Sequence, residues 1–224
     1  MNSAGVATAA SLPGESAAPI TIVDYGVGNI QSLVKMLTHI GVDAGSSSDV
    51  RAIARASKLI LPGVGSFDRA MRALRSSGVI DSLTEAVTGR GVPVLGVCLG
   101  MQLLALGSEE GDEPGLGWIQ AEVRRIRPPQ GSDLKVPHVG WADVAATRPS
   151  TLFPPDALSE RFYFVHSFYV ACRDPGDVAA TVEYGGTLCC AVSRAHVHGV
   201  QFHPEKSHRY GMRLLGRFAG NGHV

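Results

Sequence analysis

The chain has 224 residues, 45% hydrophobic and 18% charged, which is enough to bury one sizeable core. Lys plus Arg and Asp plus Glu balance at 20 each, which argues against nucleic acid or an anionic membrane as the main partner. No apolar run reaches the roughly 18 residues that a membrane-spanning helix needs. Residues 1–18 are small and polar and contain no Lys or Arg. They read as a disordered extension, not a signal peptide, ahead of a single domain over 19–224. A cytoplasmic location is expected.

Residues 20–26 (ITIVDYG) form a short apolar run ending in Gly, which suits a buried parallel strand. Residues 30–40 place Ile30, Leu33, Val34, Leu37 and Ile40 on one helical face, with Gly41 as a stop. Residues 57–67 (SKLILPGVGSF) read as a second buried strand running into a Gly-rich turn. FDRAMRALRSS and VIDSLTEAVTGRG look helical, VPVLGVC (92–98) is a third buried strand, and 99–107 is the helix after it. This alternation predicts an α/β fold with a mostly parallel, flavodoxin-like sheet flanked by helices. From about Gly117 to Gln201 the runs become short and β-rich, which predicts added antiparallel strands. A last helix is expected from about His208 to Ala219.

Four cysteines, at 98, 172, 189 and 190, show no disulfide or zinc spacing, so four free thiols are expected. On a strand, Cys189 and Cys190 would point to opposite faces. His196 and His198 read as a solvated pair without a third metal ligand, and His39, His208 and His223 as helix or tail surface. Neither GVGN nor PGVG completes a phosphate-binding pattern, and no cofactor is expected.

Gly96-Val97-Cys98-Leu99-Gly100 has the form of a nucleophile elbow between a buried strand and a helix. It presents Cys98 at the carboxyl end of the sheet and at a helix N-terminus, whose positive end favours thiolate over thiol. The Leu99 N–H would face an oxyanion forming on the attacked carbonyl. His203, just past the VHGVQF strand and stiffened by Pro204, supplies a general base, and Glu205 can hold one imidazole nitrogen. The PGVG turn after the 57–63 strand can offer a second N–H, from Val64 or Gly65. The bland alternatives are a packed cysteine and ordinary turns. The pairing of elbow and base favours catalysis.

GVCLGMQ, PGVG and QFHPEKS together resemble the triad-type (class I) glutamine amidotransferases. DYGVGNIQSLVKML, KVPHVGWADV, RFYFVHSFYV and YGMRLLGRFAG are similar to the glutaminase subunits of imidazole glycerol phosphate synthase, with the likeness running from about Ile20 to Ala219. The resemblance implies a Cys98 glutamyl thioester, proton transfer by His203 oriented by Glu205, and an oxyanion hole from Val64 and Leu99. It places Gln102, His166, Ser167 and Phe168 around the amino acid end of glutamine. It turns Asn29, Trp141, Tyr163 and Lys206 toward a (βα)8-barrel cyclase, which uses the ammonia to make imidazole glycerol phosphate and aminoimidazole carboxamide ribotide in histidine biosynthesis. Ala142 departs from the Asn that the family commonly carries after the PHxGW tryptophan, a position expected to lie toward the partner. Ammonia is a nucleophile only while unprotonated, so release into a covered path and low activity without the partner are expected. A freely rotating Gly63–Val64 peptide is the expected switch. The alternatives are a sugar-amidating paralogue, a partner-independent γ-glutamyl hydrolase or peptidase, and a non-catalytic module on the same fold.

Overall fold

The computed structural model describes residues 20–155, 157 and 159–220. The expected extension at 1–18 and His223 lie outside them. In chain order the elements begin with β1 (Ile20–Val23), α1 (Ile30–His39), β2 (Ala44–Ser47), α2 (Val50–Arg55) and β3 (Lys58–Gly63). Then come α3 (Phe67–Ser76), α4 (Ile80–Thr84) with a wider helical turn over Glu85–Gly89, β4 (Val94–Cys98) and α5 (Leu99–Leu103). The second half holds β5 (Gly107–Ser108), β6 (Ala121–Arg125), β7 (His138–Ala146), β8 (Ser159–His166) and β9 (Phe168–Cys172). It ends with β10 (Val178–Glu183), β11 (Thr187–Arg194), β12 (Val197–Val200) and α6 (His208–Ala219).

Nine strands form one sheet in the order β2-β1-β3-β4-β12-β11-β10-β7-β8. The β2 to β12 half is parallel, and β11 to β8 are added antiparallel strands. The expected α/β class holds, with one refinement: β12 belongs to the parallel half and lies directly beside β4. A second sheet, β5-β6-β9, was not anticipated. The run RFYFVHSFYVAC breaks at Ser167 and feeds both sheets. β1 ends at Val23 and α5 at Leu103, both shorter than expected; β2 (AGSS) has almost no apolar side chain and α2 spans only 6 residues, so neither stands out.

Side chains of the central strands alternate between two cores. Leu59, Leu61 and Val94 face α2, α3 and α4; Ile60, Leu95 and Val97 face α1 and α6. Leu33 and Leu37 of α1 are buried, with Ile30, Val34 and Ile40 packed at the margin, as the periodicity predicts. Cys189 and Cys190 enter opposite cores, and all four thiols are free. α6 is clamped to β8 by Glu160, which accepts from Arg217 at 2.8 and 3.1 Å and pairs with Arg213 at 3.1 Å. His39 and His208 are exposed, as expected. His198 is not: it is buried and bonded to Ser193 Oγ at 3.0 Å, while His196 reaches the Val87 carbonyl at 2.7 Å. The solvated-pair reading fails because β12 is a central strand with both faces covered. No helix among the described residues is long and apolar enough to cross a membrane.

Candidate active site

β4 ends at Cys98 with backbone φ 55 and ψ −113, a left-handed value that side chains rarely adopt. The chain turns there straight into α5, and the flanking glycines make the turn possible. A Cβ on Gly96 would lie 2.6 Å from the Gly100 carbonyl oxygen, and a Cβ on Gly100 would overlap the Leu61 carbonyl. The sulfur is thereby pushed out at the carboxyl end of the sheet, though Cys98 is only 8% exposed.

Register brings the other parts in from both sides. On one side Gly63 of β3 pairs opposite Cys98, so the PGVG turn starts beside the nucleophile. On the other side Val200 of β12 pairs with Val97, and His203 follows three residues later. The His203 backbone is tied to β8: its N–H donates to the Tyr163 carbonyl at 2.9 Å, and Ser207 Oγ donates to its carbonyl at 2.6 Å. Ser207 Oγ also accepts from the Tyr163 N–H.

His203 Nδ1 bonds Glu205 Oε1 at 2.9 Å. This leaves Nε2 on the side of Cys98, with which His203 lines one cavity. Burial opposes a charge on this ring. The hydrogen bonds and negative charges of Cys98 and Glu205 outweigh it and raise the His203 pKa to about 10. Glu205 Oε1 also accepts from Asn29 Nδ2 at 3.2 Å, while Oε2 is buried with no partner among the described residues. Asn29, expected to face a partner, is thus bonded to Glu205.

A cavity of about 390 Å³ opens over the sulfur. Its wall includes Cys98, His203, Val64, Gly65, Leu99, Gln102, His166, Ser167 and Phe168, every one expected here except that Glu205 stands behind His203. Leu99 opens α5, so its N–H is among those without an acceptor inside the helix. Gly63 is the last residue of β3, where a Cβ would lie 2.6 Å from the Gly100 nitrogen, whereas the exposed Gly65 beyond it has φ +92.

Several groups had no sequence signal. Gln201 is fully buried, accepts from Gln102 Nε2 at 2.9 Å and approaches Cys98 Sγ at 3.8 Å through Nε2. Tyr25 donates its hydroxyl to the Pro62 carbonyl at 2.6 Å, holding the strand beneath the PGVG turn; burial, then the charge of Cys98, push its phenol pKa up. Glu110 lines the cavity and accepts from the Phe67 N–H at 2.8 Å.

Beside the cavity the outer face of β7 and β8 is apolar at its near end, and farther along it carries the Asp143–Arg161 ion pair. Val139, Trp141 and Val165 are exposed, as is Val64 on the cavity rim. Trp141 stacks on His208 with centroids 5.7 Å apart and meets Tyr163 edge-on at 6.1 Å. Lys206 is exposed and borders the same cavity. Ala142 is on the opposite side of β7 from Trp141 and packs at the margin of the core.

Comparison with known proteins agrees with this geometry. The family model for class-I glutamine amidotransferases matches residues 21–219. Imidazole glycerol phosphate synthase subunit HisH 2 of Pseudomonas aeruginosa is 48% identical over 199 residues, covering 89% of this chain and 98% of that one. HisH of Leptospira interrogans is 44% identical at the same coverages, and HisH 2 of Methanococcus maripaludis 45%. Among solved structures, a glutamine amidotransferase aligns with TM-score 0.68 at 21% identity, covering 89% of this chain and 98% of that one. PurLQS from Thermotoga maritima aligns with TM-score 0.69 at 17% identity, covering 91% and 98%; at such identities the likeness is one of fold. The strained cysteine between two glycines, the imidazole beside it and the match along nearly the whole described chain place this protein in the class-I glutamine amidotransferase family, among its HisH subunits.

Proposed function

We infer that the chain is the glutaminase subunit of an imidazole glycerol phosphate synthase and that it acts in the cytoplasm. Cys98 Sγ attacks the side-chain carbonyl carbon of glutamine. The oxygen gains negative charge, which the N–H groups of Leu99 and of Val64 or Gly65 stabilise. His203 gives its proton to the departing nitrogen, so ammonia leaves and a glutamyl thioester remains. His203 then takes a proton from water, which cleaves the thioester to glutamate and restores the thiol. Glu205 keeps Nδ1 occupied, so Nε2 does the proton transfer. Gln102, His166, Ser167 and Phe168 wall the amino acid end of the substrate, and the Glu110 carboxylate suits its ammonium group.

The observation that carries this reading is the placing of Cys98 and an imidazole held by Glu205 in one cavity, at the ends of two adjacent parallel strands. The exposed Val64, Val139, Trp141 and Val165 and the nearby Lys206 favour a partner that covers the cavity rim. A (βα)8-barrel cyclase seated there would receive ammonia before water protonates it. Replacing Cys98 by Ala or Ser tests the division of labour in the complex with the cyclase. Synthesis from glutamine should be abolished, and synthesis from added ammonium salts should persist. Loss of both would sink a separable ammonia supply. Full glutaminase activity of the chain alone would instead favour a partner-independent hydrolase.

A further inference from the structure

His138 is absent from the cavity wall and from the steps above, yet it starts a chain of hydrogen bonds, through one backbone carbonyl, that ends on the nucleophile. His138 Nδ1 lies 3.0 Å from His166 Nε2, and His166 Nδ1 lies 2.8 Å from the Phe168 carbonyl oxygen. That carbonyl also accepts from Gln102 Nε2 at 3.2 Å. Gln102 Nε2 bonds Gln201 Oε1 as well, and Gln201 Nε2 faces Cys98 Sγ.

The proton positions follow from what each atom can do. A carbonyl oxygen only accepts, so His166 Nδ1 carries a hydrogen. Burial, aided by the neighbouring His138 and His203 and only partly offset by the Phe168 bond, lowers the His166 pKa to about 4. The ring is therefore neutral at pH 7 and its Nε2 is an acceptor. The nitrogen facing it must donate, which puts a hydrogen on His138 Nδ1. Burial lowers the pKa of His138 too, so it holds a single proton. Its ring is kept in plane by near-parallel stacking on Tyr184 at 3.9 Å and Phe164 at 4.9 Å, and the Tyr184 hydroxyl is anchored on the Lys135 carbonyl at 2.6 Å.

The geometry points to His138 as a positioning residue for glutamine: its Nδ1–H locks His166 as the Nδ1–H tautomer, and that tautomer pins the Phe168 carbonyl in the cavity wall. This rests on the glutaminase reading above. Without the His138 donor, His166 is free to take the Nε2–H form, which turns a lone pair toward the Phe168 oxygen and repels it. The Phe168 carbonyl then keeps only the Gln102 donor and shifts in the wall, although β6 still holds the backbone, and glutamine binding weakens while the triad stays intact.

The test uses the complex with the cyclase. His138→Phe keeps a flat ring in the stack but has no N–H; His138→Asn restores an amide N–H near the position of Nδ1. His138→Phe should raise KM for glutamine roughly tenfold, about the 1.4 kcal/mol of one hydrogen bond, with little change in kcat. His138→Asn should recover most of it. In the wild-type chain, imidazole nitrogen NMR at pH 7 should show both rings neutral with the hydrogen on Nδ1, which is readable even if a variant fails to fold. An Nε2–H ring or an imidazolium at either position overturns the assignment. So does an unchanged KM in His138→Phe, or equal damage in both variants. A wild-type complex that released no glutamate would refute the glutaminase reading instead, since the NMR result needs no substrate.

Discussion

Glu205→Gln removes one negative charge beside His203 while keeping the side chain's size and an oxygen for Nδ1 to bond. In the wild type, burial disfavours the imidazolium, and the hydrogen bonds and charges of Cys98 and Glu205 reverse that to give a pKa of about 10. Against an ordinary value of 6.5, the rise corresponds to about 4–5 kcal/mol in favour of the charged ring. Two partners share that effect, so losing one charge should withdraw about 2 kcal/mol and lower the His203 pKa by at least about one unit. Proton transfer to the leaving nitrogen suffers most, and kcat for glutamate release should fall by about 10²–10⁴. Glu205 does not line the cavity, so KM for glutamine should stay within a few-fold. Because the folded pKa lies above the unfolded one, the stabilisation from this ring is complete below about pH 6.5 and is lost as pH rises toward about 10. Wild-type protein should therefore lose more thermal stability than the variant between pH 6 and pH 10. The assays are steady-state glutamate release by the complex and an NMR titration of His203. An unchanged His203 titration in the variant, or a kcat within about tenfold of wild type, would refute the coupling argued here.

Three further outcomes follow from separate parts of the molecule. Gly100→Ala forces a Cβ into the Leu61 carbonyl and within 3.2 Å of the Pro62 carbonyl carbon, so urea unfolding should show a loss of at least about 3 kcal/mol. Burial first, and nearby His196 second, lower the His198 pKa to about 4. Its contribution is intact above about pH 6.5 and is lost as pH falls toward about 4, so His198→Gln should reduce the acid-side loss of stability by on the order of 1–2 kcal/mol in melts between pH 7 and pH 4. Trp141, 40% exposed beside the cavity rim, should be an anchor for the cyclase: Trp141→Ala should weaken the complex at least about tenfold by titration calorimetry and leave the melting temperature of the lone chain nearly unchanged.

What could be read beforehand divides by the range of the interaction. The elbow at Cys98 is legible because everything it needs is local: a buried run, a nucleophile, and a glycine on each side where the backbone approaches itself. The helical face of α1 is legible for the same reason, since spacing along one element decides it. The alternation of strand and helix fixes which ends of the parallel strands meet, and so predicts that the PGVG turn flanks the sulfur, whereas the place of His203 depends on β12, which the alternation does not decide. Contacts across long stretches of chain leave no such mark. Asn29 and Glu205 are 176 residues apart and Gln201 and Cys98 are 103 apart, and an amide side chain reads the same whether it faces solvent or a thiol. The solvated reading of His198 fails on the same ground. Two histidines two positions apart are compatible with an edge strand or a central one, and only the pairing of β12 between β4 and β11 decides for burial. That pairing also sets the active site. Had β12 lain at the sheet edge, His198 would be wet, and His203 would stand a strand's width or more away from the sulfur, about 5 Å per strand. The burial of one histidine and the catalytic reach of the other are thus consequences of a single strand placement.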